Sequence, residues 1–287
     1  MADTTGQTSL RKEHVDTAIK AIAMMELKLK SLCMIDSSSA NIESYYRETN
    51  TDITAGTGSA IKGIPRLASF PYGEASWTKI QSWIDKYGCE NVISYEDTKL
   101  NNVPMIQRTL IKIGRAVSYA IDVQIEALIS SDYGNTVAIT AGNEWNSATI
   151  ANRDPIYDIL AAIQMLRADN LDPLNGNGYL VINGTDYTNI ISNSKCTNNV
   201  SFKTADVVSN GVVGQICGLK IMVTEAITAE NAYVIMGNEA LVWKQAQPLT
   251  VLQIEDPGIK TTIRAFELGT PQLVVPNGIC KITNTRA

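Results

Sequence analysis

Apolar and polar positions alternate in two ways along the chain, with helical spacing in the first half and strand-like segments in the last third. From about Arg11 to Leu32 the apolar residues Val15, Ala18, Ile19, Ile22, Met25, Leu29 and Leu32 recur in steps of three and four. That spacing predicts a helix with one buried stripe. Residues 1–9 are small and polar and read as a disordered start. The run Ser37-Ser38-Ser39 predicts the end of the helix. Ile42 to Ile53 reads as a polar strand holding Tyr45 and Tyr46, Thr54 to Gly63 as a tip with three glycines, and Ile64 to Phe70 as the returning strand. A two-stranded excursion with so few apolar residues has little of its own to bury. It makes sense if it lies on another molecule.

Trp77 to Ile93 mixes aromatic, apolar and charged residues, with Gly88 as an interruption. Val103 to Ser130 gives the clearest signal. Pro104 suits a first helical turn, and Leu110, Ile113, Val117, Ile121 and Ile125 form a stripe. At about 1.5 Å per residue this helix would run about 40 Å. Asp122 inside it is expected to be structural, either buried and paired, with Arg108 or Arg115 along the helix, or facing water. Asp132 to Asn152 reads as turns, and Asp154-Pro155 as the cap and first position of a helix reaching about Ala168. Tyr179 to Ile182 reads as a strand, followed by a short helix around Tyr187 to Ser192. Strands are then expected at Val207–Val213, Leu219–Val223, Ala232–Met236, Leu241–Trp243, Gln247–Ile254, Thr261–Leu268, Gln272–Val275 and Gly278–Ile282. Turn residues such as Asp256-Pro257-Gly258 and Gly269-Thr270-Pro271 separate several of them. The class is α+β, without an internal repeat.

Composition narrows the chemistry. The 287 residues carry 18% charged side chains and a net charge of −5. A surface so poor in charge suits one covered by other subunits, and no basic face for gripping phosphates is visible along the sequence. A nucleic acid neighbour would therefore be enclosed rather than read. The single histidine, His14, leaves no partner for Ser-His-Asp or Cys-His catalysis or for most zinc sites. Five scattered cysteines without a CxxC read as reduced thiols in a protein made in a reducing compartment. No signal-peptide core or membrane span is visible, so the protein reads as soluble and synthesised in cytoplasm. The acidic trio Glu90, Glu96 and Asp97 reads as a solvated turn rather than a catalytic pair. Gly214 to Gly218 lacks the Gly-Lys-Ser/Thr ending of a phosphate loop and reads as a turn between strands. Asn183-Gly184-Thr185 matches a glycosylation acceptor, which cytoplasmic synthesis makes moot. No catalytic residue, cofactor or metal ligand is expected.

The order of these parts resembles the major capsid proteins of tailed phages and their archaeal relatives, the Hong Kong 97 fold shared with encapsulins. An N-terminal helical arm precedes a glycine-tipped hairpin similar to the extended loop of that family. Val103 to Ser130 looks like its spine helix, and Asp154 to Ala168 with Gly178-Tyr-Leu-Val-Ile-Asn-Gly-Thr-Asp-Tyr187 like the entry to the axial domain. Gly214 to Glu225, Asn231 to Asn238 and the ending Pro271 to Ile282 look like the return and closing strands. The resemblance spans roughly residues 11–285 by element order. It implies an N-terminal arm over 1–40, an extended loop over 41–76, a peripheral domain with the spine helix over 77–135, an axial domain over 136–235 and a return to the peripheral domain over 236–287.

The function it implies is self-assembly into hexamers and pentamers of an icosahedral shell that encloses double-stranded DNA in a virion, without sequence-specific binding. Scaffold, portal and decoration proteins would be further partners, and assembly would take place in host cytoplasm. Tyr45, Tyr46, Ile61, Arg66 and Phe70 are the expected interface anchors on the loop, with Met24 and Met25 on the arm. Lys62 sits where some relatives place a crosslinking lysine, although a solvated lysine is favoured. An encapsulin-like compartment around a cargo enzyme is the alternative, and a carboxylate-dependent α+β enzyme is the rival outside this family.

Overall fold

The computed structural model of the protein describes residues 28–48, 54–55, 64–70, 73–74, 77–100, 105–197 and 214–286. A 27-residue helix, Met105–Ser131, runs through it, as the apolar spacing predicts. After a short helix α1 (Tyr95–Leu100), this spine is α2. Its Leu110, Ile113, Val117, Ile121, Ile125 and Ile129 are all buried.

The inner side of α2 covers a four-stranded sheet of order β1-β12-β13-β6. Its strands are β1 (Met34–Ser37), β6 (Asp85–Ser94), β12 (Leu241–Asp256) and β13 (Lys260–Leu273). A six-stranded sheet forms the second layer, in the order β7-β14-β11-β8-β10-β9. It comprises β7 (Asn135–Ala138), β8 (Gly178–Ile182), β9 (Gln215–Ile216), β10 (Leu219–Val223), β11 (Asn231–Met236) and β14 (Ile279–Thr283). Helices α3 (Pro155–Ala168), α4 (Gly184–Ser192) and α5 (Ser194–Thr197) complete this part.

Two hydrophobic cores result, joined through the six-stranded sheet. Side chains alternate across a strand, so Tyr233 and Ile235 of β11 enter the core under α2 while Ala232 and Val234 enter the core beside α3. Strand β8 divides in the same way, with Val181 on one side and Leu180 and Ile182 on the other. The unbroken apolar run in β11 is the signature of a strand buried on both faces.

Local signals explain the element boundaries. The Asp154 side chain accepts from the N–H of Tyr157 at 3.2 Å, with Pro155 in the first helical turn. Within the Gly214–Gly218 segment, read as a turn, Gln215–Ile216 is strand β9 and only Cys217-Gly218 makes the turn to β10. Leu219 pairs with Ile216 across Cys217 and Gly218, whose φ values of 50° and 83° are those of a tight two-residue hairpin.

The structure departs from the sequence reading at several places. Ile64–Phe70 is not a returning strand, since it forms a turn at Arg66-Leu67 with Leu67 at φ 66°. The return is made by Gly73–Glu74 and Trp77–Trp83 instead. Met34–Ser37 and Asn135–Ala138 are strands that the pattern leaves as breaks and turns. Each is four residues long and pairs parallel at a sheet edge, so neither needs a strong apolar alternation. Gly269-Thr270-Pro271 is not a turn but part of β13, continuous from Lys260 to Leu273. Gly269 is there because a Cβ would lie 2.6 Å from the Trp243 ring. Of the expected N-terminal helix, the described residues show only a 3₁₀ turn over Leu29–Leu32. The expected strand Val207–Val213 lies outside the described residues. The terminal strand β14, expected within the return to the peripheral domain, sits between β7 and β11.

Candidate assembly surface

The excursion after β1 is a two-stranded sheet. Strand β2 (Ile42–Glu48) pairs antiparallel with β5 (Trp77–Trp83), and beyond it β3 (Thr54–Ala55) pairs with β4 (Gly73–Glu74). Directly opposed residues share a face, so the register divides the β2/β5 ribbon cleanly. Its inner face carries Tyr45 opposite Ile80, Arg47 opposite Thr78 and Glu43 opposite Ser82. This face is fixed to the body. Tyr45 is buried, Arg47 donates to Asp132 at 2.9 Å and to the carbonyl of Leu273 at 3.4 Å, and Gln272 donates to Ser82 at 2.8 Å.

The outer face carries Ile42 opposite Trp83, Ser44 opposite Gln81, Tyr46 opposite Lys79 and Glu48 opposite Trp77. Its large apolar members stand in solvent, with Trp77 55%, Tyr46 58% and Trp83 61% exposed. Two tryptophans, a tyrosine and an isoleucine on one face of a narrow ribbon form an apolar patch of the kind that marks an interaction site. Arg66 and Phe70 are also exposed, Phe70 at 85%.

The expected anchors thus separate. Tyr46, Arg66 and Phe70 face solvent, and Tyr45 is turned inward onto its own chain. Ile61, Lys62, Met24 and Met25 lie outside the described residues. The reading missed Trp77 and Trp83, although their six-residue spacing already places both on one face of a strand and Ile80, three residues from each, on the other; the register sets them opposite Glu48 and Ile42.

The root of the N-terminal segment is held by two buried carboxylates. Asp122 is buried and structural, and it binds backbone at the root of the N-terminal segment. Its oxygens accept the backbone N–H groups of Lys28 at 3.0 Å, Leu29 at 3.1 Å and Lys30 at 3.2 Å. Burial pushes its carboxyl above the usual carboxylate range, opposed by those three donors. The second is Glu267, which pairs with buried Lys30 and accepts from Trp243 Nε1 at 3.0 Å and Gln245 Nε2 at 2.8 Å. The chain is therefore fixed to the body at Lys28 to Lys30.

Other candidate residues have structural partners. Glu90 pairs with Arg264 at 2.7 Å, and Glu96 and Asp97 are exposed in the first turn of α1. Asn183 caps α4 through the N–H of Thr185 at 3.0 Å and donates to Glu225 at 2.9 Å. All five cysteines are free thiols. Burial pushes the thiols of Cys33 and Cys280 up to about 12 and that of Cys196 up to about 11. Among the described residues no group of three or more His, Cys, Asp or Glu side chains could hold a metal ion. No described helix is long and apolar enough to cross a membrane.

Comparison with solved structures places this architecture. The capsid of the cyanophage P-SCSP1u is similar at TM-score 0.65 and 13% identity, covering 99% of this chain and 91% of that one. The mature capsid of bacteriophage PhiM1 is similar at TM-score 0.63 and 16% identity, over 90% and 87% of the two chains. A virus-like particle from Pyrococcus furiosus is similar at TM-score 0.62 and 14% identity, over 94% and 98%. At these identities the likeness shows the fold, which is α+β and Hong Kong 97-like. Comparison with curated protein sequences gives no match. The family model described as phage capsid protein matches residues 84–272, which is more than half of the 287, and the chain belongs to the phage capsid protein family.

Proposed function

We propose that this capsid shell protein assembles into hexamers and pentamers of a closed icosahedral shell around double-stranded DNA in a virion, and that the outer face of the β2/β5 ribbon docks on an adjacent copy. The observation that carries the docking is the exposed row of Ile42, Tyr46, Trp77 and Trp83 on a ribbon whose other face is tied to its own body. Aromatic residues concentrate binding energy at interfaces, and one weak contact repeated around every capsomer sums to a stable shell. Heterologous contacts of this kind close only at defined angles, so the role of the chain is geometric rather than catalytic.

The division into arm, extended loop, peripheral and axial parts belongs to the same proposal. The sheet order supports counting the terminal strand β14 with the axial part. Scaffold and portal proteins, and assembly in host cytoplasm, complete the reading.

Electron microscopy of the purified protein, together with size exclusion, tests it. Closed shells, tubes or capsomer rings are expected, and replacing Trp77 and Trp83 by serine should leave folded subunits that no longer close. A folded protein that stays monomeric at high concentration with co-expressed partners added would overturn it. Nucleic acid inside shells isolated from the natural source separates a virion from a compartment that holds a cargo enzyme.

A further inference from the structure

The sequence reading sees no basic face, and the fold assembles one. The solvent side of α2 carries Arg108, Lys112 and Arg115, four and three residues apart and all exposed, with half-exposed Tyr119 one turn further on. Spacings of three and four put these side chains on one face of a helix. No acidic residue occupies an exposed position of α2, because its two acids, Asp122 and Glu126, are both buried. Lys28 joins the same face. It lines a cavity of about 500 Å³ with Arg115, Tyr119 and Asp122, where Glu225 is the one exposed-side acid of the lining. In a chain of net charge −5, this is a concentration of positive charge against the overall balance.

We propose that this face of the spine helix is a contact surface for the phosphate backbone of double-stranded DNA. Arg108 to Arg115 spans about 10 Å of helix axis. Duplex DNA presents one negative charge per about 1.7 Å of its axis, so the stripe meets several phosphates at once. A protein partner needs an apolar core to its interface, and beside the cations this face offers one large exposed ring, Tyr119, with Ala116 and Ala120 and with Ile111 36% exposed. Phosphate contact needs charge alone and carries no sequence preference. The proposal rests on the capsid reading for the source of the DNA, but the binding itself can be measured without a shell.

The test is fluorescence anisotropy of a duplex of about 30 base pairs with the full-length protein, titrated over a range of salt. With three to four phosphate contacts, the slope of log affinity against log salt should be about −3 to −4. Replacing the two outward cations, R108Q with K112Q, should make the slope shallower by about 2 and weaken binding on the order of 50-fold at 0.1 M salt. The charge-matched control K195Q with K260Q, outside α2, should behave as the parent. Two results overturn the proposal: no duplex binding at low salt, or equal loss in the control. Shell formation by R108Q with K112Q, followed in parallel by electron microscopy, separates the two readings. Loss of DNA binding with shells intact concerns this face alone, whereas absence of shells from the parent protein concerns the capsid reading.

Discussion

The two-stranded ribbon and the six-stranded sheet obey the same period-two geometry and bury their apolar residues in opposite ways. Strands β8 and β11 find partners for both faces within the chain, with α2 and the four-stranded sheet on one side and α3 on the other. Among the described residues the ribbon finds a partner for only one. Tyr45 packs inward, and Trp77, Trp83 and Tyr46 are left in solvent on the other face. Large apolar side chains are thus present in both, and what differs is whether the covering surface is encoded in the same molecule. An exposed aromatic residue says little alone, but a row of them on the unanchored face of an anchored ribbon is the observation on which the proposed docking rests.

The comparison can be broken first where burial is complete. Ile235→Ala in β11 should cost about 4 kcal/mol of subunit stability, because it opens a cavity between two layers. Urea unfolding of unassembled subunits measures this, and a cost below about 1 kcal/mol would mean that the layers do not share a core. Asp122→Ala should cost about 3 kcal/mol by stranding three backbone donors. Hydrogen exchange should then rise at the amides of Lys28, Leu29 and Lys30, and unchanged protection there would remove the anchoring role of this carboxylate.

Trp77→Ser combined with Trp83→Ser should change subunit stability by less than about 1 kcal/mol, since exposed side chains contribute little to the fold. If the pair instead unfolds the subunit, the outer face is part of the core and the contrast fails. The smallest effect at neutral pH concerns the buried thiols. Raised thiol pKa values favour the folded state fully below the unfolded value of about 8.5, and that contribution is lost as pH climbs toward 12. Maleimide at pH 8 should leave Cys33, Cys196 and Cys280 unmodified in native subunits. Rapid labelling of any of the three would place it outside the cores.

Much of this architecture was legible because its signals are local and long. The spine helix repeats its apolar period over seven turns, and Asp154-Pro155 states a helix start in two residues. Less was legible where an element depends on distant chain. The short edge strands β1 and β7 exist through parallel pairing with β12 and β14, and Gly269-Thr270-Pro271 looks like a turn until Trp243 explains the glycine. On the candidate surface, Tyr45 and Tyr46 are equal in sequence, and only the register tells inside from outside. Asp122 shows the same limit, since its partners are backbone amides more than ninety residues away. The basic stripe was present in the spacing of Arg108, Lys112 and Arg115, but an acidic total charge concealed it.

Strand β14 has a consequence for how the molecule is made. It is the last of the six strands to leave the ribosome, yet it lies inside the sheet, between β7 and β11. Ile279, Cys280 and Ile282 complete both cores. Contacts of such long sequence separation form late, so a growing chain carries its ribbon, aromatic face and all, well before the body beneath it can close. The interval between the synthesis of Trp83 and that of Ile282 is therefore the hazardous one, when a sticky edge is displayed by a subunit that cannot yet hold its shape. Until that strand is in place both cores stay open at Ile279, Cys280 and Ile282, and the sheet lacks the strand that joins β7 to β11.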